Sequence, residues 1–158
     1  MLIFISGSIN SGKTTTSEAL AKKLGWEYIN VDDITDHIKG FNIYTHLDIA
    51  MDEAIKAINT ASEHSKHVVA NFVLREQDWK RLEQEVHIHP QVIITLSPPI
   101  EVAQSQRGDR VLTDWEIKRI KSHYDDGIAS PQYGHTIDNS NLTVSETVDR
   151  IIDIANII

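Results

Sequence analysis

The run Gly7-Ser8-Ile9-Asn10-Ser11-Gly12-Lys13-Thr14 constrains this chain more than any other stretch, because it follows the pattern G-x-x-x-x-G-K-[ST] of a phosphate-binding loop. Its neighbours give the pattern a physical setting. Leu2-Ile3-Phe4-Ile5 before it is wholly apolar and reads as a strand buried on both faces. Residues 15–24 after it read as a helix that stops at Gly25. A strand, a glycine-bounded turn and a helix N-terminus aim several backbone N–H groups and the positive end of a helix dipole at one point. Gly7, Ser8, Ile9, Asn10, Ser11, Gly12, Lys13, Thr14 and Thr15 are therefore the expected nucleotide-binding residues. Lys13 would reach the β- and γ-phosphates, and the Thr14 hydroxyl would hold Mg²⁺.

The rest of the chain alternates between two periodicities. Residues 26–31 read as a second strand ending at Asp32 and Asp33. Leu47, Ala50, Met51, Ala54, Ile55 and Ile58 recur at helical spacing and form one face of a long amphipathic helix. Residues 67–73 and 91–96 read as strands, with a short polar helix over 78–85 between them. Ser97-Pro98-Pro99 opens a helix expected to run into Gln106-Arg107-Gly108-Asp109-Arg110. Thr113 with Glu116, and Thr143 with Glu146, have capping-box spacing. The first pair opens a helix with Ile117, Ile120 and Tyr124 on its apolar face. The second opens a terminal helix with Val144, Val148, Ile151, Ile152, Ala155 and Ile158 on its buried side. Residues 135–138 supply a last strand. Five strands alternating with helices predict an α/β protein, a three-layer α/β/α fold with a five-stranded parallel sheet. With 158 residues, the expectation is a single domain over 1–158.

In such a sheet, chemistry gathers beyond the carboxyl ends of the strands. Asp32 and Asp33 follow the second strand. One of them can accept the proton of an attacking hydroxyl, with Asp32 preferred, while the other caps the helix entering at Ile34. Asn71 ends the third strand, where a Walker-B aspartate often stands. It is neutral, and can touch substrate or a metal-bound water but adds no charge. Arg75, just beyond, suits an anionic substrate group or plain solvent. Arg107 and Arg110 frame Gly108 in a polar loop that could close over a transferring phosphoryl. Asn139, after the last strand, suits the rim of a base pocket.

The composition excludes several classes. Without cysteine there is no disulfide, thiolate metal site or cysteine nucleophile, which fits a cytoplasmic protein. No apolar run approaches a membrane span, and the first residues lack a signal-peptide pattern. A net charge of −8 argues against nucleic acid as a partner. His87 and His89 alternate without a third ligand nearby and read as solvated connectors. The tryptophans, Trp79 and Trp115 among them, read as structural.

Taken together, these residues resemble the small P-loop kinases, most closely the chloramphenicol phosphotransferase branch, with gluconate, shikimate and polynucleotide 5′-kinases further off. The resemblance rests on Ile5 through Thr14, Val31-Asp32, the 68–74 strand with Trp79 beyond it, Arg107-Gly108-Asp109-Arg110-Val111, and the stretch from Tyr133 to Asn139. It implies an ATP- and Mg²⁺-dependent kinase acting on a small-molecule hydroxyl, with Asp32 as general base and Lys13, Arg107 and Arg110 as catalytic cations. It also implies an acceptor-binding helical region over about 33–66 and a lid over about 104–114. Two alternatives stand beside it: a nucleoside or polynucleotide 5′-hydroxyl kinase, and an ATP-binding regulatory protein without catalysis. Polynucleotide kinases carry an arginine where this chain has Thr35, which weakens the first alternative. The sequence leaves the acceptor and the oligomeric state open.

Overall fold

The computed structural model describes residues 1–43 and 45–157, so the expectation for Ile158 lies outside the described residues. At its centre is β1 (Leu2–Gly7), every residue of which is buried. A strand this apolar can only sit between neighbours with both faces covered. It pairs in parallel with β3 (Val68–Asn71) on one side and β4 (Gln91–Leu96) on the other. The edges are β2 (Glu27–Asn30) and β5 (His135–Ile137), giving the parallel order β2-β3-β1-β4-β5.

Alternation along β1 divides the core in two. Leu2 and Phe4 face a cluster built with Ala50, Met51, Ala54 and Ile58 of α3 (Leu47–Ser62) and Leu82 of α4 (Glu76–Glu85). Ile3 and Ile5 face Leu20 of α1 (Lys13–Leu24) and Val148 and Ile151 of α7 (Val144–Ile154). The helical stripe expected from Leu47 to Ile58 is thus the covering of one sheet face. Both capping boxes form: Thr113 Oγ1 accepts from the Glu116 N–H at the start of α6 (Asp114–Asp125), and Thr143 Oγ1 accepts from that of Glu146.

Four expectations are corrected. The second strand ends at Asn30, and residues 31–35 turn directly into α2 (Val31–Thr35), which places Asp32 and Asp33 in a helix first turn, where carboxylates are favoured by the dipole. The helix after the prolines is only α5 (Ile100–Ala103): the Ser97 N–H remains with the sheet, donating to Ile137 O at 2.8 Å, and at the other end the Ala103 and Ser105 carbonyls accept from Asn10 Nδ2. Residues 105–113 are irregular, which leaves a loop between α5 and α6 over most of the expected lid. Ile117 and Val144, expected on buried faces, are 36% and 41% exposed.

Candidate active site

The loop after β1 stands where the chain crosses from β3 to β4 around β1, the switch point at which open α/β sheets bind ligands. Its turn depends on glycine at two positions. Gly7 has φ +150°, and a Cβ there would collide with Ser11 Oγ and come within 2.7 Å of the Leu96 carbonyl. Gly12 has φ +92° and hands the chain to α1, whose first residue is Lys13. Asn10 also takes a left-handed conformation, at φ 61°. Its side chain is a clasp, donating through Nδ2 to the Ala103 and Ser105 carbonyls at 2.8 and 2.9 Å. Its own carbonyl accepts from Arg107 Nη1 at 2.9 Å, so this loop and the irregular 105–113 segment are joined through one residue. Asn139 locks the other side, donating from Nδ2 to Ser11 O at 3.0 Å.

Two cavities meet over this loop. The first, about 460 Å³, is lined by Asn10, Gly12, Lys13, Thr14, Thr15, Arg107, Arg110 and Asn139, with Leu142, Val144 and Thr147 as its far wall. The exposure of Val144 is explained here: it lines a cavity rather than the core. The second, about 290 Å³, is lined by Ile9, Lys13, Thr14, Asp32, Asp36, Ile43, Phe72, Val73, Arg110, Trp115, Glu116, Arg119 and His123. Lys13, Thr14 and Arg110 border both. Lys13 Nζ rests on Ser8 O at 3.3 Å, and its burial pulls its pKa down against the opposing charge of Asp32, with Arg110 adding to the fall. Arg110 is held by an ion pair to Glu116 at 2.5 Å.

Asp32 and Asp33 part company in space. The Asp32 carboxylate lines the second cavity and makes no hydrogen bond or ion pair among the described residues. Burial raises its pKa; Lys13 opposes this, and Asp36 and Asp33 add to it. Asp33 instead lines a groove on the outer side, against β2 and α3. Asn71 lines neither of the two cavities at the loop. It is fully buried, accepting from Tyr28 O–H at 2.9 Å and donating to Asn30 Oδ1 at 3.2 Å, so both ends of its amide are engaged within the sheet. Arg75 is bound twice to Asp78 and once to Asp48. It lines a separate cavity with Trp79, Ile128 and Tyr133, away from the loop.

Among the second-cavity residues that the sequence did not point to, three stand out on one helix. Trp115, Arg119 and His123 lie four residues apart on α6 and share the cavity wall, and Trp115, expected to be structural, is 40% exposed there. Their i, i+4, i+8 spacing was the available signal. His123 Nδ1 lies 3.1 Å from Ser8 Oγ, and burial, followed by the charges of Arg119 and Lys13, lowers its pKa to about 4.

For a divalent ion the donor set is sparse. No cluster of three or more His, Cys, Asp or Glu side chains could hold a metal among the described residues. The Thr14 hydroxyl has no hydrogen-bond partner among them, and Asp32 supplies a carboxylate in the same cavity. That fits Mg²⁺, which binds through one or two protein groups plus phosphates and water.

Sheet order and loop together give this chain the fold of the small P-loop kinases. A gluconokinase from Sinorhizobium meliloti 1021 superposes with a TM-score of 0.72 at 14% identity, covering 98% of this chain and 91% of that one. No family model matches the chain. In sequence it is related to a shikimate kinase of Synechococcus elongatus, 27% identical over 117 residues, which are 68% of this chain and 58% of the relative's length. It is also related to a protein named "Putative adenylate kinase" from Methanocaldococcus jannaschii, 27% identical over 160 residues, covering 97% of this chain and 85% of that one. Among the described residues no helix is long and apolar enough to cross a membrane.

Proposed function

We propose that this chain is an ATP-dependent phosphotransferase that moves the γ-phosphate to a hydroxyl of a small molecule. One observation carries the reading: Asp32, a carboxylate without a hydrogen-bond or ion-pair partner among the described residues, shares a cavity with Lys13 and Thr14 of the phosphate-binding loop. ATP would occupy the first cavity, its phosphates on the loop amides and Lys13, its base toward Asn139 and Leu142. The acceptor would occupy the second, against the apolar wall of Ile43, Phe72, Val73 and Trp115. Asp32 would take the proton of the attacking hydroxyl, and the burial that raises its pKa makes it a better base. Thr14, with Asp32 nearby, would hold Mg²⁺, which would supply positive charge against the negative charge of the phosphates. Arg107 and Arg110 would close over the phosphoryl from the lid. Asn71, engaged by Tyr28 and Asn30, and Arg75, engaged by Asp48 and Asp78, are read as braces of the framework.

Shikimate, gluconate and chloramphenicol are the first acceptors to try, by the relatives and the resemblance. A nucleoside or nucleotide acceptor is the second reading, favoured by the near-complete span of the adenylate kinase match. The test is ADP release from Mg–ATP with each of these, adenosine, AMP and a 5′-hydroxyl oligonucleotide. Stimulation by one compound, lost in Lys13→Ala and Asp32→Asn, supports the reading and begins to name the acceptor. ATP binding that is tight and unaffected by Asp32→Asn, with no compound stimulating turnover, favours a regulatory nucleotide-binding protein.

A further inference from the structure

His123 is a buried polar group to which phosphotransfer as described assigns no task. It sits near the end of α6, is 3% exposed, and is among the residues that line the Asp32 cavity. Nδ1 lies 3.1 Å from Ser8 Oγ. Nε2 is buried with no hydrogen-bond partner among the described residues. A buried polar nitrogen left without a partner costs about 1–3 kcal/mol.

Ser8 decides the tautomer. Its side chain is fully buried, and Nδ1 of His123 is the partner its hydroxyl has among the described residues. A hydroxyl in that position donates rather than bury an idle proton, so Nδ1 is the acceptor. The ring is neutral at pH 7, with its pKa lowered to about 4 by burial and by Arg119 and Lys13, and its proton therefore resides on Nε2. A residue of the cavity lining thus carries a buried N–H donor that no group among the described residues uses.

Ser8 also sets where that donor stands. Its carbonyl accepts from Lys13 Nζ at 3.3 Å while its hydroxyl holds the imidazole. One loop residue therefore carries both the ammonium that reaches the terminal phosphates and the ring beside it. A transferring phosphoryl spreads charge over three oxygens and is stabilised by donors fixed before the reaction starts.

We propose that His123 Nε2–H donates a hydrogen bond to an oxygen of the γ-phosphoryl group of bound ATP, with Ser8 holding the ring in the required tautomer. This rests on the phosphotransfer reading above. No proton leaves the ring; it acts as a fixed dipole.

The test is calorimetric titration of Mg–ATP and Mg–ADP into the parent chain, His123→Asn and His123→Gln. Asparagine keeps an amide near the Nδ1 position for Ser8 and has nothing at Nε2, whereas the glutamine amide reaches the Nε2 position. His123→Asn should weaken Mg–ATP about tenfold and leave Mg–ADP within about twofold. His123→Gln should stay within about threefold of the parent for both. Equal losses for ATP and ADP in His123→Asn, or no loss for either, overturn the proposal. So does normal ATP binding with loss of acceptor-stimulated turnover alone, which would assign Nε2 to the acceptor. If the variants do not fold, nitrogen NMR of the parent histidines decides. An Nε2-protonated ring whose N–H is shifted and protected by Mg–ATP but not by Mg–ADP supports the proposal; an Nδ1-protonated ring, or the same response to both nucleotides, overturns it. A parent chain that binds no Mg–ATP at all would bring down the phosphotransfer reading itself, a result separate from these.

Discussion

The two cavities that meet at Lys13 are made of different materials. The nucleotide side is built largely from one continuous loop and the first turn of α1, closed by Asn139 and the start of α7. Its key groups are backbone amides and a lysine, and three of its polar side chains are tied: Asn139 to Ser11, Asn10 to Ala103 and Ser105, Arg107 to Asn10. The acceptor side draws on α2, the residues after β3, the lid and one face of α6, and leaves the Asp32 carboxylate and His123 Nε2 without protein hydrogen bonds among the described residues. A site that binds what every kinase binds can be fixed in backbone. A site that must recognise one acceptor and receive the phosphoryl group is made of side chains whose valences stay open for these ligands.

The sharpest way to break this contrast is Asp32→Asn. Acceptor-stimulated kcat should fall by roughly 10³-fold while Mg–ATP affinity, by calorimetry, stays within about threefold. An equal fall in both would mean the two cavities act as one. Asp32→Asn should also unfold at a higher temperature at pH 7. Its folded-state pKa is raised above the ordinary 3.8, so the native state holds the proton longer than the unfolded chain does, and the ionised carboxylate costs stability as pH rises through that window. Lys13→Ala should reduce Mg–ATP affinity by about 100-fold, the loss of a charged hydrogen-bonding group at the phosphates.

Stability probes come next in size. Acid should expose His123: the unfolded ring takes a proton near pH 6.5, the folded ring only near pH 4, so stability falls as pH drops across that interval, by roughly 3 kcal/mol. Denaturant titrations at pH 7 and pH 4.5 should show this slope in the parent and its reduction in His123→Gln. Arg75→Met, which leaves the 2%-exposed Asp78 without its ion pair, should destabilise the fold by roughly 2 kcal/mol with Mg–ATP affinity unchanged. If it abolished acceptor-dependent turnover at unchanged stability, Arg75 would belong to the acceptor site after all.

Much of the nucleotide side was legible because its information is local. The loop pattern, the apolar strand before it and the helix after it occupy 23 consecutive residues, and each constrains the next through backbone geometry. The capping boxes at Thr113 and Thr143 were legible for the same reason: a side chain and an amide three residues apart meet whatever lies elsewhere. The core stripe of α3 was legible because helical periodicity reports which face is buried. Periodicity does not report what lies opposite that face. Trp115, Arg119 and His123 form as regular a stripe as the core one, and only the placing of Asp32 and Phe72 around the same cavity makes it a cavity wall.

The chain's order of residues therefore determined a buried central strand, a glycine-bounded loop leading into a helix N-terminus and the alternation that yields a parallel sheet. Tertiary structure decided between Asp32 and Asp33 as cavity residue, because neighbours in one helical turn point about 100° apart and only the packing of α2 says which faces Lys13. It also decided that Asn71 is closed off by Tyr28 and Asn30, and that a histidine more than a hundred residues from Ser8 stands against the loop. Contacts between distant segments are set by how the layers stack, and no local pattern carries that.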